Sequence, residues 1–375
     1  MPHEFFISSL AQLKAHLDQH QSLAYCSVCG VDLHTSQIDW EHIPLEHSSF
    51  LGCDFPVGTL PILQARGVLV MPKRTDIPYN PYRHELYRWQ ELEEVVDIPS
   101  GRTLDLDIYE HFAAQRYRPE IHEALFQRIH DHSIDQGLHK LIGTDAEGLT
   151  KKACVGFMGG HSTLRTDPNY RLTAKTAYLT AKAGYFVVSG GGPGIMEATN
   201  LGAYFSPYPE TALEQAIEKL SEAPHYTDAG FTEIAKEVVQ AFPEGAENLA
   251  VPTWFYGHEP SNLFATHIAK YFSNSLREDN LLAICLHGVV FAPGSAGTTQ
   301  EIFQDAAQNH YATYGYYSPM VFLNRKRYEI DTLIYPLLRQ LAWGREYADF
   351  LHLTDEPEDV VAFIKSHPPQ VKTAN

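Results

Sequence analysis

Residues 185–198, YFVVSGGGPGIMEA, run from an apolar strand straight through a glycine turn and into a helix. Upstream, ACVGFM at 153–158 reads as a buried strand ending in Gly159, Gly160 and His161. Leu172, Thr176, Leu179 and Ala183 then mark one face of a helix that Gly184 closes. Strand, helix and strand in that order make a βαβ unit. Downstream, GVVFAPGSAGTTQE at 288–301 repeats the strand, glycine turn and helix start, and MVFL at 320–323 and LAV at 249–251 read as further strands. A helix is expected from about 261 to 276, with Phe264, Ile268 and Tyr271 facing inward. Strands alternating with helices predict an α/β fold, a doubly wound, Rossmann-like parallel sheet.

The rest of the chain divides around that unit. Residues 1–105 carry recurrent Pro and Gly, as in FPVGTLP at 55–61, and are expected to form an N-terminal extension of mixed short elements with no assigned role. Residues 106–150 have apolar spacing of a helical connector, with Pro119 near a helix start. Residues 151–375 form the expected nucleotide-binding domain, with an insertion at about 205–247.

The 375 residues are 44% hydrophobic and 20% charged, enough for one large core or two smaller ones. A formal charge of -18 without a basic run argues against a nucleic-acid partner. No window has the length and apolarity of a membrane span, and MPHEFFISSLAQLK lacks a basic start followed by a long apolar run, so no membrane partner and a cytoplasmic location are expected. Five cysteines are too few for a disulfide framework.

Chemistry concentrates in the two glycine turns. At each, a ligand can approach the backbone while N–H groups at the helix start attract an anion; the plain alternative is a tight packing turn. In a parallel sheet both turns fall at one carboxyl edge, which points to a single phosphate site. Glu301 admits two readings. Thr298-x-x-Glu301 spells a capping box, whereas one helical turn, about 5.4 Å, also puts Glu301 a phosphate-to-ribose step beyond the turn. There the positive helix end would keep it ionised. Arg277, read as the end of its helix in YFSNSLRED, either complements the helix dipole or serves the site. His258 and Glu259 either line the pocket or cap a helix beginning near Ser261.

Together these motifs resemble the LOG family of phosphoribohydrolases, first recognised as cytokinin-activating enzymes and often mislabelled as lysine decarboxylases. The resemblance covers about 151–345: the family's PGGxGTxxE reads PGSAGTTQE, with Ser295 for the second glycine, and its GGGxxGxM reads GGGPGIM at 190–196. It implies hydrolysis of the N-glycosidic bond of a nucleoside 5′-monophosphate, giving free base and ribose 5-phosphate. Glu301 and Arg277 are the implied catalytic residues. Gly159, Gly160, Gly190, Gly191, Gly192, Gly194, Met196, Gly294, Ser295, Gly297, Thr298 and Thr299 are the implied nucleotide and phosphate contacts. No cofactor or metal is implied, and a homodimer or larger assembly is. The family's Arg-Lys pair reads Arg277-Glu278 here. The N-terminal part and the insertion look closer to the larger bacterial nucleotide 5′-monophosphate nucleosidases, so purine or pyrimidine mononucleotides are expected over cytokinin nucleotides.

Two rivals use the same residues. A nucleotide sensor would bind at both turns without turnover, and a pyridoxal-phosphate decarboxylase would need a Schiff-base lysine, which neither glycine motif contains. Elsewhere, Cys26-x-x-Cys29 with Cys53, His34, His42 and His47 offers zinc-type ligands without a second spaced pair, and His16 and His20 share a helix face. Val28, Leu33, Ile38 and Ile43, then Phe50, Phe55 and Leu60, recur every five residues, as in a short stacked coil.

Overall fold

The computed structural model describes residues 4–116, 118–144 and 150–372. The chain divides into two compact units, Met1–Glu85 with Tyr117–Ile134, and Leu86–Arg116 with Asp135–Asn375. The smaller unit holds β1 (Phe5–Ile7), α1 (Leu10–His20), β2 (Cys26–Cys29), β3 (Ser49–Leu51), α2 (Thr59–Ala65) and β4 (Leu69–Met71). Its four strands pair in parallel in the order β1-β2-β3-β4. Val28, Leu33 and Phe50 are buried in its core, with Ile38, Ile43 and Phe55 packed against them. The five-residue recurrence, apart from the exposed Leu60, therefore fills the core of a parallel sheet and its connections; it does not build stacked coils. Cys26, Cys29 and Cys53 are buried free thiols. Burial pushes them up, to about 11 for Cys26 and Cys53 and about 12 for Cys29, and among the described residues no group of three or more metal-type side chains converges.

The larger unit begins with α3 (Trp89–Leu92), an antiparallel pair β5 (Val95–Asp97) and β6 (Arg102–Thr103), and α4 (Leu104–Gln115). The division of the chain falls within α5 (Ile121–Ile142). Then follow β7 (Cys154–Met158), α6 (Pro168–Lys182), β8 (Phe186–Ser189), α7 (Ile195–Tyr204), α8 (Glu210–Leu220), α9 (Phe231–Ala241), β9 (Leu249–Ala250), β10 (His267–Ile268) and α10 (Asn274–Ile284). Next come β11 (Val289–Phe291), α11 (Ala296–Tyr311), β12 (Tyr316–Tyr317), β13 (Met320–Leu323), α12 (Ile334–Leu341), β14 (Leu351–Thr354), α13 (Pro357–Ser366) and β15 (Gln370–Val371).

Seven strands form one parallel sheet in the order β10-β9-β8-β7-β11-β13-β14. The chain winds outward from β7 to one edge and then, from β11, to the other, so the order reverses between β7 and β11. That is the doubly wound, Rossmann-like arrangement, and its crevice opens at the carboxyl ends of those two strands. No helix among the described residues is long and apolar enough to cross a membrane.

One expected element does not form. Residues 261–273 are not helical: His267–Ile268 pairs beside β9 as the sheet edge, and the helix starts only at Asn274. Side-chain hydrogen bonds take the backbone away from helical pairing. Asn262 accepts from the Phe264 amide at 3.2 Å, and Thr266 Oγ1 accepts from the Asn248 amide and donates to its carbonyl, both at 2.8 Å. Tertiary bonding overrides the helical periodicity of Phe264, Ile268 and Tyr271.

The insertion is fastened by a buried ion pair. Arg165, in the connection after β7, forks onto Glu197 of α7 at 2.9 and 2.6 Å, and its remaining nitrogen donates to the carbonyls of Leu220, Ala223 and Phe231. Tyr170 donates to the same carboxylate at 2.9 Å. Removing one partner of a buried pair strands the other charge and typically costs about 3–5 kcal/mol, whereas replacing both costs far less. Arg165→Met should lose about that much in urea unfolding, and Arg165→Met with Glu197→Met should recover most of it; equal losses in the two variants would contradict the pairing argument.

Candidate functional site

The crevice is closed at its floor by backbone bonds across the point where strand order reverses. The Gly160 amide donates to Pro293 at 3.0 Å and the Ala292 amide to Met158 at 2.9 Å. Above them lies a cleft of about 550 Å³, within the size range of small-molecule sites. Gly159, Gly160, Gly190, Gly191, Met196, His258, Glu259, Arg277, Ser295, Gly297, Thr298 and Glu301 line it. Gly192, Gly194, Gly294 and Thr299 do not.

The two glycine turns differ. In the first, three amides are already bonded: Gly191 donates to Ser189 Oγ at 3.0 Å, Gly192 to Met196 Sδ at 3.4 Å and Ile195 to the Gly160 carbonyl at 3.0 Å. Ser189 in turn donates to Asn200, which donates to Asn248 and receives a bond from Asn262. The turn requires glycine at two positions. Gly191 has φ +82, and a Cβ there would sit 2.7 Å from Pro252 Cδ; Gly194 has φ +67, and a Cβ would sit 2.5 Å from the Gly160 carbonyl. The second turn is open. Ala296, Gly297 and Thr298 occupy the first turn of α11, where amides have no intrahelical acceptor. An anion is therefore best received at the α11 end, while the first turn supplies shape. Tyr328 braces this turn by donating to the Ala292 carbonyl at 2.6 Å, and Arg327 donates to Gly294. Thr299 spends its hydroxyl on the Ser295 carbonyl at 3.0 Å.

The capping box does not form. Ser295 precedes the helix without a side-chain cap, and Glu301 lies in the second turn of α11, buried and paired with Arg277 at 3.3 Å. Arg277 lies in the first turn of α10, not at its end as expected. A cation there opposes the helix dipole, so dipole complementation is not what holds it. The guanidinium is held by acceptors: Nε donates to Val251 at 2.8 Å, Nη2 to Gly190 at 3.3 Å and Nη1 to Glu301. It thus ties the ends of β8 and β9 to α11.

Glu301 is not kept in the ordinary carboxylate range by the helix end. Burial pushes it up, Arg277 opposes this, and the nearby Glu278 adds to it; the net direction is upward. Glu278 also lines the cleft, its oxygens taken by Gln300 at 2.7 Å and Asn274 at 2.8 Å. One turn further along α11, burial alone raises Asp305 to about 8.

No helix begins near Ser261, so His258 and Glu259 cap nothing. His258 instead reaches Asp105 at 3.3 Å. Asp105, Lys270 and Tyr226 are site residues or supports that lie outside both glycine motifs, with Asp105 in α4, far away in sequence; Gln300 lies inside PGSAGTTQE, but its bond to Glu278 exists only in the fold. The one legible signal was Glu278 in place of a lysine beside Arg277.

No family model matches the chain, and no curated protein does. Among solved structures it is similar to the molybdenum cofactor binding protein from the phototrophic bacterium Rippkaea orientalis, at 16% identity over 58% of this chain and 97% of that one, TM-score 0.35. It is also similar to the molybdenum cofactor carrier protein from Chlamydomonas reinhardtii, at 14% identity over 58% of this chain and 98% of that one, TM-score 0.37. Function is therefore read from the cleft.

Arg277→Ala leaves Glu301 buried beside Glu278 with no counter-charge, raising the folded-state pKa of Glu301 further. A group whose folded pKa is raised contributes stability below its unfolded value and loses it as pH rises through the folded one. The deficit of Arg277→Ala in urea unfolding should thus be largest at pH 8 and shrink toward pH 4.5, leaving a pH-independent part from the unpaired Val251 and Gly190 carbonyls. A deficit constant with pH would show that the pair does not act electrostatically.

Proposed function

We propose that the protein is a LOG-like phosphoribohydrolase that splits the N-glycosidic bond of nucleoside 5′-monophosphates into free base and ribose 5-phosphate. The observation that carries this reading is the Arg277–Glu301 pair: a cation set against its own helix dipole, held in a cleft beside an open helix N-terminus. In this reading the 5′-phosphate sits on the α11 amides with Ser295, Gly297 and Thr298 around it, and Gly160, Gly190 and Gly191 let the ligand approach the sheet edge. Arg277 fixes the Glu301 carboxylate at the ribose.

The C1′–N bond breaks with its electron pair going to the base, and the oxocarbenium character that develops on the ribose is stabilised by the Glu301 carboxylate. Water attacks C1′ from the face Glu301 commands and gives one proton to that carboxylate, which then delivers it onward to the base. The net change is addition of OH to ribose and H to base. A carboxylate with a raised pKa is a stronger base for this transfer than one in the ordinary range.

The competing reading is a sensor that binds a nucleotide at the same turns without turnover. Incubation with AMP, GMP, IMP, CMP and UMP separates the two. Base release by the wild type that drops by roughly 100-fold or more in Glu301→Gln supports hydrolysis; binding without release, identical in the two proteins, leaves the sensor.

The pH profile adds an independent check. Activity needs ionised Glu301, so it should fall on the acid side through a pKa above the ordinary carboxylate range. Glu278→Gln removes a carboxylate that pushes Glu301 up, and should move that acid limb to lower pH. An unmoved or oppositely moved limb would assign the ionisation to another group.

A further inference from the structure

The cleft has a second polar pole that the proposed hydrolysis does not yet use. Asp105, in the first turn of α4, is buried; its Oδ1 accepts from Lys270 Nζ at 2.7 Å and Trp254 Nε1 at 2.8 Å, and His258 Nε2 approaches its Oδ2 at 3.3 Å. Burial alone would raise Asp105, but the Lys270 ammonium and the His258 and Lys270 hydrogen bonds hold it below the ordinary range, so it is a fixed carboxylate. Lys270 itself is 5% exposed, rests 5.1 Å from the centre of the Trp254 ring and lines the cleft with His258. An ammonium has three donors, and Asp105 is its one hydrogen-bond acceptor among the described residues. The remaining donors are nearly desolvated, which is costly unless a ligand accepts them.

The sheet fixes where this pole lies. Neighbouring strands are about 4.8 Å apart, so the end of β10 lies about 14 Å from that of β7, since β8 and β9 intervene. The open amides of α11 flank β7; Arg277 bonds to carbonyls just past β8 and β9; Lys270 follows β10 by two residues. Phosphate, sugar and base of a mononucleotide fall in that order along such a line.

Resting on the hydrolase reading, we propose that Lys270, positioned by Asp105, binds the departing base and carries the negative charge that develops on it. When the C1′–N bond breaks, the electron pair spreads over a ring nitrogen and any carbonyl oxygen of the base; a Lys270 N–H donates a hydrogen bond to that oxygen. The proton that completes the free base is the one water released to Glu301, so Lys270 finishes as it began. A donor-only group favours bases that present an oxo oxygen there, hence 6-oxopurine or uracil mononucleotides over adenine.

The test compares Lys270→Met with wild type on IMP, UMP and AMP, and on 4-nitrophenyl riboside 5-phosphate, whose leaving group needs no help. Lys270→Met should lose roughly 100-fold in kcat/KM on IMP or UMP, with little change on the nitrophenyl substrate, and calorimetric binding of ribose 5-phosphate should be unaltered. Asp105→Asn should lose activity in the same substrate-dependent pattern, to a smaller extent. Equal losses on all substrates, or lost ribose 5-phosphate binding, would make the cluster merely structural and overturn the proposal, as would a wild-type preference for AMP. A wild type that releases no base from any mononucleotide would instead overturn the hydrolase reading beneath it.

Discussion

The guanidinium of Arg277 is the contact on which the geometry of the cleft turns. It reaches the carbonyl ends of two neighbouring strands through Val251 and Gly190 and the carboxylate of Glu301 on the helix after a third. Three directions of donation from one rigid plane are a property of arginine; a lysine ammonium in the same place is a point charge without that fork. Because Arg277 sits in the first turn of α10, its helix contributes an unfavourable field, and the arrangement persists on acceptors alone. Its position is set by the strand ends and Glu301, so the carboxylate cannot shift without disturbing β8 and β9.

Behind the cleft, polar groups that would be costly if unpaired are joined in chains. Ser189, Asn200, Asn248 and Asn262 are all buried and connected, and they end on the Gly191 amide at one side and on the Leu249 and Phe264 carbonyls at the other. A fully satisfied network of this kind holds one arrangement, because every alternative rotamer leaves a buried donor or acceptor open. Arg165 and Glu197 do the same on the far side of α7, fastening α8 and α9 to the helix that the first glycine turn begins. The glycine turn is thus shaped by side chains on both sides, with the Gly191, Gly192 and Ile195 amides bonded within the protein.

Periodicity and glycine punctuation made the parallel sheet legible, since β7, β8, β11 and β13 are continuous apolar runs buried on both faces. Short edge pieces were not: His267–Ile268 is a strand only because β9 lies beside it and side chains from Asn262 and Thr266 hold its backbone, so its helical spacing misled. The same error moved Arg277 from the start of a helix to its end and supplied a dipole explanation that the structure removes. Four parallel strands in the smaller unit escaped notice because each is only three or four residues long. Asp105 was invisible for another reason. A carboxylate in α4 meets residues 149 and 165 positions later only through the fold, and no local pattern announces it.

The substitution of Glu278 where the resembled family carries lysine changes the electrostatics of the site in a definite direction. Glu301 lies between one cation, Arg277, and one additional anion, and burial strengthens both influences. In the proposed hydrolysis, a phosphate on the α11 amides would add negative charge to the same cleft and push Glu301 further up. Arg277 sets the limit, because its bond to Glu301 keeps the ionised form accessible. The proposed hydrolysis needs this balance: a carboxylate protonated too readily cannot receive a proton from water, and one held too low has no tendency to. The pairing with Arg277 and the proximity of Glu278 act in opposite directions on one group, and the chemistry open to the cleft depends on their difference more than on either alone.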